Sequence, residues 1–220
     1  RLFNPATDKA LKYPFDAITF RKEKPKNKTA LQAELGLAVN AKTMMIGIIS
    51  RLTDQKGLDL IAYMMDELCQ DNVQIVVVGT GEERYENMFR HFAWKYPDKV
   101  SANIYYSEEL AHKVYASCDA FLMPSLFEPC GLSQLMSLRY GTVPIERETG
   151  GLKDTVFPYN EFEGTGTGFS FMNYNAHEML ATIRYAKRIF TERKREWNKI
   201  IDRAMAMDFS WKASAGKYNR

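Results

Sequence analysis

Residues 120–134 read AFLMPSLFEPCGLSQ, and this stretch decides the fold. The apolar run 120–123 predicts a buried strand, and 132–140 predicts a helix that stops at Gly141. A turn with proline and glycine separates them, at the carboxyl end of a strand and the amino end of a helix. The first N–H groups of a helix lack partners within it, so this turn predicts an anion site.

The turn presents four backbone N–H groups, those of Cys130, Gly131, Leu132 and Ser133, and it also contains Glu128. Because a carboxylate repels a phosphate, Glu128 is better suited to accepting hydrogen bonds from hydroxyl groups beside the phosphate. A phosphate with neighbouring hydroxyls is typical of a sugar nucleotide. The stretch therefore predicts a sugar-nucleotide site.

Apolar runs alternate with amphipathic helical patterns over residues 41–207. The predicted strands are 44–49, 73–78, 100–106, 120–123, 143–147 and 169–171. Strands that are apolar throughout are buried on both faces, which is typical of a parallel sheet between two helix layers. We predict the α/β class, with a Rossmann-like, doubly wound parallel sheet. Ligands bind such sheets outside the carboxyl ends of the strands.

The two ends of the chain look different from this central region. Residues 1–40 are polar and interrupted by prolines, with a basic cluster at 21–28. We interpret them as a surface strap or linker that closes with a short helix at 29–35. Residues 208–220 are interpreted as a carboxyl-terminal tail. The chain begins with Arg and shows no secretory leader, so we expect a piece of a longer protein.

Composition excludes several classes of protein. The net charge of the 220 residues is +3, too small to indicate a nucleic-acid or anionic-membrane partner. No apolar run reaches the about 18 residues that span a bilayer. The three cysteines have no C-x-x-C spacing, which argues against a disulfide framework or a zinc site and favours a cytoplasmic location.

The loop after the first strand carries two cations, Arg51 and Lys56. An arginine fork and a lysine point charge suit a diphosphate. The alternative is that both are solvated loop charges, and the residues alone leave the two interpretations about equally supported. The next loop contains Gly79 and Gly81 in a G-x-G-x-x-R pattern that lacks the third glycine of a dinucleotide fingerprint. Glycines of a tight turn are the better interpretation.

Two further loops at the same edge have weaker signals. Tyr105 and Tyr106 end the third predicted strand, and alternation directs one ring inward and the other to the crevice mouth, where it could stack on a base. Thr149 and Gly150 begin a T-G-G turn with accessible N–H groups. No Walker loop, nucleophile elbow or D-x-D metal pair occurs, so we expect no metal and no cofactor.

Together these loops resemble the carboxyl-terminal half of bacterial and plant glycogen or starch synthases, ADP-glucose-using glycosyltransferases of the two-domain GT-B type. The motifs run in order along nearly the whole chain: NPATD at 4–8, LQAELG at 31–36, SRLTDQKG at 50–57, EPCGLSQ at 128–134, RYGTVP at 139–144, TGGLKDTV at 149–156, GTGF at 166–169 and DFSW at 208–211.

The resemblance implies retaining transfer of glucose from ADP-glucose to the 4-hydroxyl of an α-1,4-glucan, without metal. By matching positions, Arg51 and Lys56 hold the diphosphate, Glu128 binds the donor glucose, and Tyr106 stacks on adenine. The amides of the turn and of the T-G-G loop would cradle phosphate and sugar: those of Cys130, Gly131, Leu132, Thr149 and Gly150. The family's amino-terminal domain, which contacts the acceptor, is absent, so we expect the fragment to be inactive.

Glu146 departs from the family, which usually carries an apolar residue in this strand. A buried carboxylate is costly unless it is paired, with Arg147 or a neighbour, or unless the strand end is exposed. On this basis Glu146→Val is expected to stabilise the fold. Two alternatives to the transferase remain: a non-catalytic nucleotide- or glycan-binding module, and a sugar-nucleotide epimerase of the same fold.

Overall fold

The structure is a computed structural model that describes residues 3–126, 131–148 and 157–207. These residues form seven helices and six strands. The helices are α1 (Phe20–Glu34), α2 (Leu58–Leu68), α3 (Glu83–Lys95), α4 (Glu108–Ser117), α5 (Leu132–Arg139), α6 (Ala176–Glu192) and α7 (Lys194–Met205). The strands are β1 (Met44–Ile49), β2 (Val73–Val78), β3 (Val100–Asn103), β4 (Ala120–Met123), β5 (Val143–Arg147) and β6 (Phe169–Phe171).

The strands form one parallel sheet in the order β3-β2-β1-β4-β5-β6. This order confirms the predicted Rossmann-like, doubly wound sheet. Successive β1 side chains enter opposite layers: Met44, Ile46 and Ile48 join the main core, whereas Met45 joins a smaller cluster with α1 and α4. Burial on both faces explains why these strands are mostly apolar.

The strand order reverses between the neighbouring strands β1 and β4, and the chain crosses from one half of the sheet to the other after β3. From β1 the sheet grows through β2 to β3, and on the other side it grows through β4 and β5 to β6. The loop after β1 therefore leads toward one half of the sheet and the loop after β4 toward the other. This topological switch point is where doubly wound sheets open a ligand crevice.

The amino-terminal segment is more deeply integrated than the sequence indicated. Helix α1 begins at Phe20, whereas the predicted helix was 29–35. Phe15 and Phe20 are buried in the main core, so the prediction of a surface strap is wrong for these residues. Two lysines of the predicted basic cluster, Lys24 and Lys28, are also buried. Their i, i+4 spacing places both on the inner face of α1.

A buried polar cluster fixes residues near the amino terminus. The Tyr140 hydroxyl donates to the Asp8 carboxylate at 2.5 Å, and His112 Nδ1 lies 2.5 Å from the same oxygen. Burial, with this hydrogen bond, raises the pKa of Tyr140, so its hydroxyl remains a donor. The Phe3 ring stacks on His112. Asp8 therefore joins the amino-terminal segment to α4 and to the end of α5.

One predicted helix cap is absent. The spacing of Thr80 and Glu83 predicts a capping box, but α3 begins at Glu83, its N-cap is Glu82, and no side chain caps it. The Thr80 carbonyl instead accepts a hydrogen bond from the Leu52 N–H at 2.9 Å. The loop is therefore organised by its neighbour after β1.

Candidate functional site

The β1–α2 loop, residues 50–57, carries both predicted diphosphate ligands. Arg51 is exposed, and its guanidinium forms no hydrogen bond or ion pair with any residue that the structure describes. Asp54–Lys56 forms a single 3₁₀ turn, in which Lys56 is partly buried. Gly57, at φ +81°, then starts α2 in a left-handed conformation that favours glycine. The loop thus places Arg51 in solvent and Lys56 at the end of a 3₁₀ turn.

Asp54 anchors this loop to α3. Its carboxylate accepts hydrogen bonds from Arg84 Nη2 at 2.7 and 2.8 Å, and another from the Tyr85 hydroxyl. The hydrogen bond from Tyr85 and the charge of Arg84 hold the pKa of Asp54 below its usual value. Sequence reasoning gave Asp54 no role, because its partners lie 30 residues further along the chain.

The β2–α3 loop packs closely against the β1–α2 loop. The Leu52 carbonyl accepts a hydrogen bond from the Glu82 N–H at 2.9 Å. A Cβ at Gly79, whose φ is +153°, would lie 1.9 Å from the Ser50 carbonyl oxygen. The interpretation of Gly79 as a turn glycine therefore omits its main task, which is to let these two loops touch.

The β4–α5 loop approaches the β1–α2 loop from the other side. The Leu126 N–H donates to the Gln55 carbonyl at 2.9 Å. A Cβ at Gly57 would lie 2.2 Å from the Pro124 carbonyl oxygen. Both neighbours of Lys56 thus contact the loop after β4. The structure brings the two predicted site loops together at the switch point of the sheet.

Helix α5 begins as the sequence predicts. Its N-cap is Gly131 at φ +61°, which has no side chain to cap the first turn, and Leu132 is 56 % exposed. The first-turn N–H groups thus lie at the carboxyl edge of the sheet. Glu128, Cys130, Thr149 and Gly150 lie outside the described residues, so their predicted roles stay predictions.

The two tyrosines after β3 differ from expectation. The strand ends at Asn103, not at residue 106, and both rings are exposed, Tyr105 by 50 % and Tyr106 by 73 %. The prediction that one ring faces inward is wrong, because alternation applies only within a strand. The exposed ring of Tyr106 could stack on a base, and that role stays a prediction.

Neither a metal-binding cluster nor a membrane-spanning helix occurs in the described ranges. No group of three His, Cys, Asp or Glu side chains there could hold a metal ion. Within the same ranges, no helix has the length and apolar character needed to cross a bilayer.

Comparison with known proteins places the chain in a family. The family model described as "Glycosyl transferases group 1" matches residues 34–200. The chain belongs to the group 1 glycosyltransferases. The matched region contains the sheet, the two contacting loops and both cations, Arg51 and Lys56.

Relatives of this group 1 glycosyltransferase narrow the comparison. Glycogen synthases of Lachnospira eligens and Clostridium acetobutylicum are 71% identical over 216 residues and 55% identical over 217 residues. The matches cover 98% and 99% of this chain and 45% of each relative, so the chain spans about half the length of the curated relatives it matches. The catalytic domain of starch synthase IV from Arabidopsis thaliana, solved bound to ADP and acarbose, matches with a TM-score of 0.90 and 33% identity. That match covers 99% of this chain and 45% of the solved catalytic domain. The family resemblance drawn from the sequence is confirmed.

Glu146 is buried in this group 1 glycosyltransferase. It lies near the end of β5 with 1 % of its surface exposed. The alternative that this strand end is exposed is therefore wrong. Its carboxylate accepts a hydrogen bond of 2.5 Å from the Gln134 side-chain amide on α5. The Arg147 guanidinium donates elsewhere, to the carbonyls of Ser125 and Leu126. Among the described residues, Glu146 therefore pairs with Gln134 of the adjacent helix layer and not with Arg147.

This pairing changes the expected effect of Glu146→Val. The substitution removes a buried acceptor of the Gln134 amide, so we expect the free energy of unfolding to fall by about 1–2 kcal/mol rather than to rise. Urea unfolding would measure it. Glu146→Gln keeps an acceptor oxygen at the same place and should cost less. If Glu146→Val proved more stable than the parent protein, the expectation from sequence would be restored.

Proposed function

We propose that this chain is the donor-binding domain of a retaining glucosyltransferase that moves glucose from ADP-glucose to the 4-hydroxyl end of an α-1,4-glucan, as in glycogen and starch synthesis. One observation carries the proposal. The loop with Arg51 and Lys56 touches the loop after β4 at the switch point of the sheet. The likeness to glycogen synthases supports the choice of reaction.

The chemistry follows from where charge develops. In the transfer, the bond between glucose C1 and the diphosphate oxygen breaks, and its electron pair leaves with the diphosphate. The acceptor oxygen bonds to C1 on the same face, and the acceptor proton leaves with the diphosphate. Cations beside the leaving diphosphate stabilise that developing negative charge. Arg51 and Lys56 supply them, so the proposal includes neither a metal nor a cofactor.

Other residues complete the proposed donor site. Glu128 would bind the hydroxyls of the glucose and stabilise positive charge on the ring, and Tyr106 would stack on adenine. The remaining contacts would come from backbone amides of two turns, those of Cys130, Gly131, Leu132, Thr149 and Gly150. Of these amides, the structure describes the two at the start of α5, which lie at the same edge as Lys56.

The acceptor and the cellular setting are part of the proposal. Acceptor contacts would come from an amino-terminal domain, so the 220-residue chain alone should transfer little glucose. A cytoplasmic location suits the buried, free thiols of Cys69 and Cys118. Burial raises the pKa of the Cys69 thiol to about 11, which keeps it unreactive.

Calorimetric titration with ADP, UDP and their glucose conjugates tests donor binding. We expect binding that favours ADP and that Arg51→Ala weakens at least tenfold, since a charge-assisted hydrogen bond contributes about 1.5–3 kcal/mol. Folding should be unchanged, because Arg51 has no partner in the described part of the chain. Arg90→Ala removes the same charge from the exposed face of α3 and serves as the control.

Transfer is tested in a chimera in which this chain replaces the matching segment of the Lachnospira eligens glycogen synthase. The chimera should elongate a maltooligosaccharide with ADP-glucose, and Arg51→Ala should reduce that rate. Nucleotide binding by a chimera that transfers nothing would favour the non-catalytic module. A preference for UDP would contradict the donor assignment.

A further inference from the structure

Two residues outside the site loops tie those loops together. Arg147 is the last residue of β5. Its Nε donates to the Ser125 carbonyl at 3.0 Å and its Nη2 to the Leu126 carbonyl at 2.6 Å. The guanidinium therefore grips two successive carbonyls of the β4–α5 loop. Only a planar fork makes this paired contact, so lysine could not reproduce it.

Tyr174, in the β6–α6 loop, forms hydrogen bonds at the β1–α2 loop. Its hydroxyl lies 2.5 Å from Asp59 Oδ1 and 3.1 Å from the carbonyl oxygen of Asp54. Burial and the hydrogen bond to Asp59 raise the pKa of Tyr174, so the hydroxyl remains protonated and donates. Asp54 starts the 3₁₀ turn that ends at Lys56.

Arg147 and Tyr174 also contact each other. The guanidinium carbon of Arg147 lies 5.6 Å from the centre of the Tyr174 ring, within the range of a cation–π contact. The two site loops also contact each other directly, because the Leu126 N–H donates to the Gln55 carbonyl at 2.9 Å. The two site loops are thus joined directly, and a second time through Arg147 and Tyr174. We call this pair of residues the loop clamp.

The clamp also places charge at the site. Arg147 donates to neutral carbonyls and forms no ion pair with any described residue, so its positive charge is not neutralised there. It lies at the carboxyl edge of the sheet, beside the loop that contains Lys56. A third cation at this edge, in addition to Arg51 and Lys56, would favour a diphosphate there.

We propose that Arg147 and Tyr174 are positioning residues that set the spacing between the Arg51–Lys56 loop and the β4–α5 loop, and thereby align a bound sugar diphosphate for transfer. This inference rests on the proposed function. Neither residue needs to touch the donor. Small misplacements of reacting groups lower rates strongly, so the clamp should act on turnover more than on donor binding.

The test uses the active chimera described above and three substitutions. Arg147→Lys keeps the charge and loses the fork, Arg147→Met loses both, and Tyr174→Phe loses only the hydroxyl. We expect kcat to fall at least tenfold for Arg147→Lys and Tyr174→Phe, with KM for ADP-glucose changed less than threefold. Arg147→Met should also raise KM, because it removes the charge. The double variant Arg147→Lys with Tyr174→Phe should lose less than the product of the two single losses, since both act on one spacing.

Matched controls separate positioning from stability. Tyr185→Phe removes a hydroxyl that donates to Glu161, and Arg184→Lys removes an arginine fork to Asp71, both far along α6. These variants should keep kcat. Unchanged kcat in the clamp variants, or a lowered melting temperature with unchanged kcat, would overturn the inference while the proposed function stood. An inactive parent chimera that binds no ADP would instead refute the proposed function itself.

Discussion

Replacing Gly57 with alanine is expected to lower the free energy of unfolding by about 3 kcal/mol and to weaken ADP binding. At φ +81° any side chain is strained, and this costs about 1–2 kcal/mol. The new Cβ would also lie 2.2 Å from the Pro124 carbonyl oxygen. Because that neighbour is backbone, it cannot turn away, and the overlap should cost a further 1–3 kcal/mol or so. Lys56 precedes Gly57, so the diphosphate ligand would shift as well.

Gly36→Ala is a matched control for this prediction. Gly36 has a similar φ of +74°, but a Cβ there would meet no atom within 4 Å. Its substitution should therefore carry the conformational strain alone. Urea unfolding and ADP titration of both variants would separate strain from the contact between loops. Equal losses of stability would contradict the close approach of the β1–α2 loop to Pro124.

The second large effect is expected at Lys24, where methionine should cost about 3 kcal/mol. Lys24 is 5 % exposed, and its ammonium group donates to the carbonyls of Ala116 at 2.8 Å and Tyr140 at 3.1 Å. It also contacts the Tyr115 carbonyl at 3.3 Å and the Thr142 hydroxyl at 2.8 Å. Methionine fills the space but leaves these buried acceptors without their donor. Lys22→Met, exposed on the same helix, should change stability by less than about 0.5 kcal/mol.

The Lys24 contribution should depend on pH. Burial lowers the pKa of Lys24 to about 7, although the nearby Asp119 carboxylate opposes the shift. In the unfolded chain the pKa returns to its ordinary value of 10.5, so between pH 7 and 10.5 the unfolded state binds the extra proton. Stability from this group therefore rises with pH in that window. Three other titratable groups, on Lys28, Lys194 and Cys118, also influence this site electrostatically.

Urea unfolding at pH 7 and pH 9 measures this dependence. The difference between the parent protein and Lys24→Met should grow by about 2 kcal/mol over those two pH units. The comparison between variants cancels the titration of groups far from residue 24. A difference that stayed constant or shrank would contradict the lowered pKa.

Residue patterns predicted the sheet well because its strands are short and buried on both faces. The apolar runs at β1 and β4, and the mostly apolar run at β2, are visible within six residues of sequence, and their bounds are confirmed. The pattern was misleading at β3, where Ile104, Tyr105 and Tyr106 extend the apolar run beyond the paired strand. Aromatic residues favour strands, but sheet pairing ends where the neighbouring strand ends, and local sequence does not report that.

The sequence by itself determined the order of elements, the family, and which loops lie at the carboxyl edge, because these follow from local periodicity and short motifs. Only the tertiary structure decided what those loops touch. Lys24 and Tyr140 are 116 positions apart, and Tyr174 and Asp59 are 115 apart. Contacts of this kind depend on how helices and loops pack in space. A lysine that caps helix ends and an arginine that grips carbonyls therefore look like ordinary surface charges until the chain is folded.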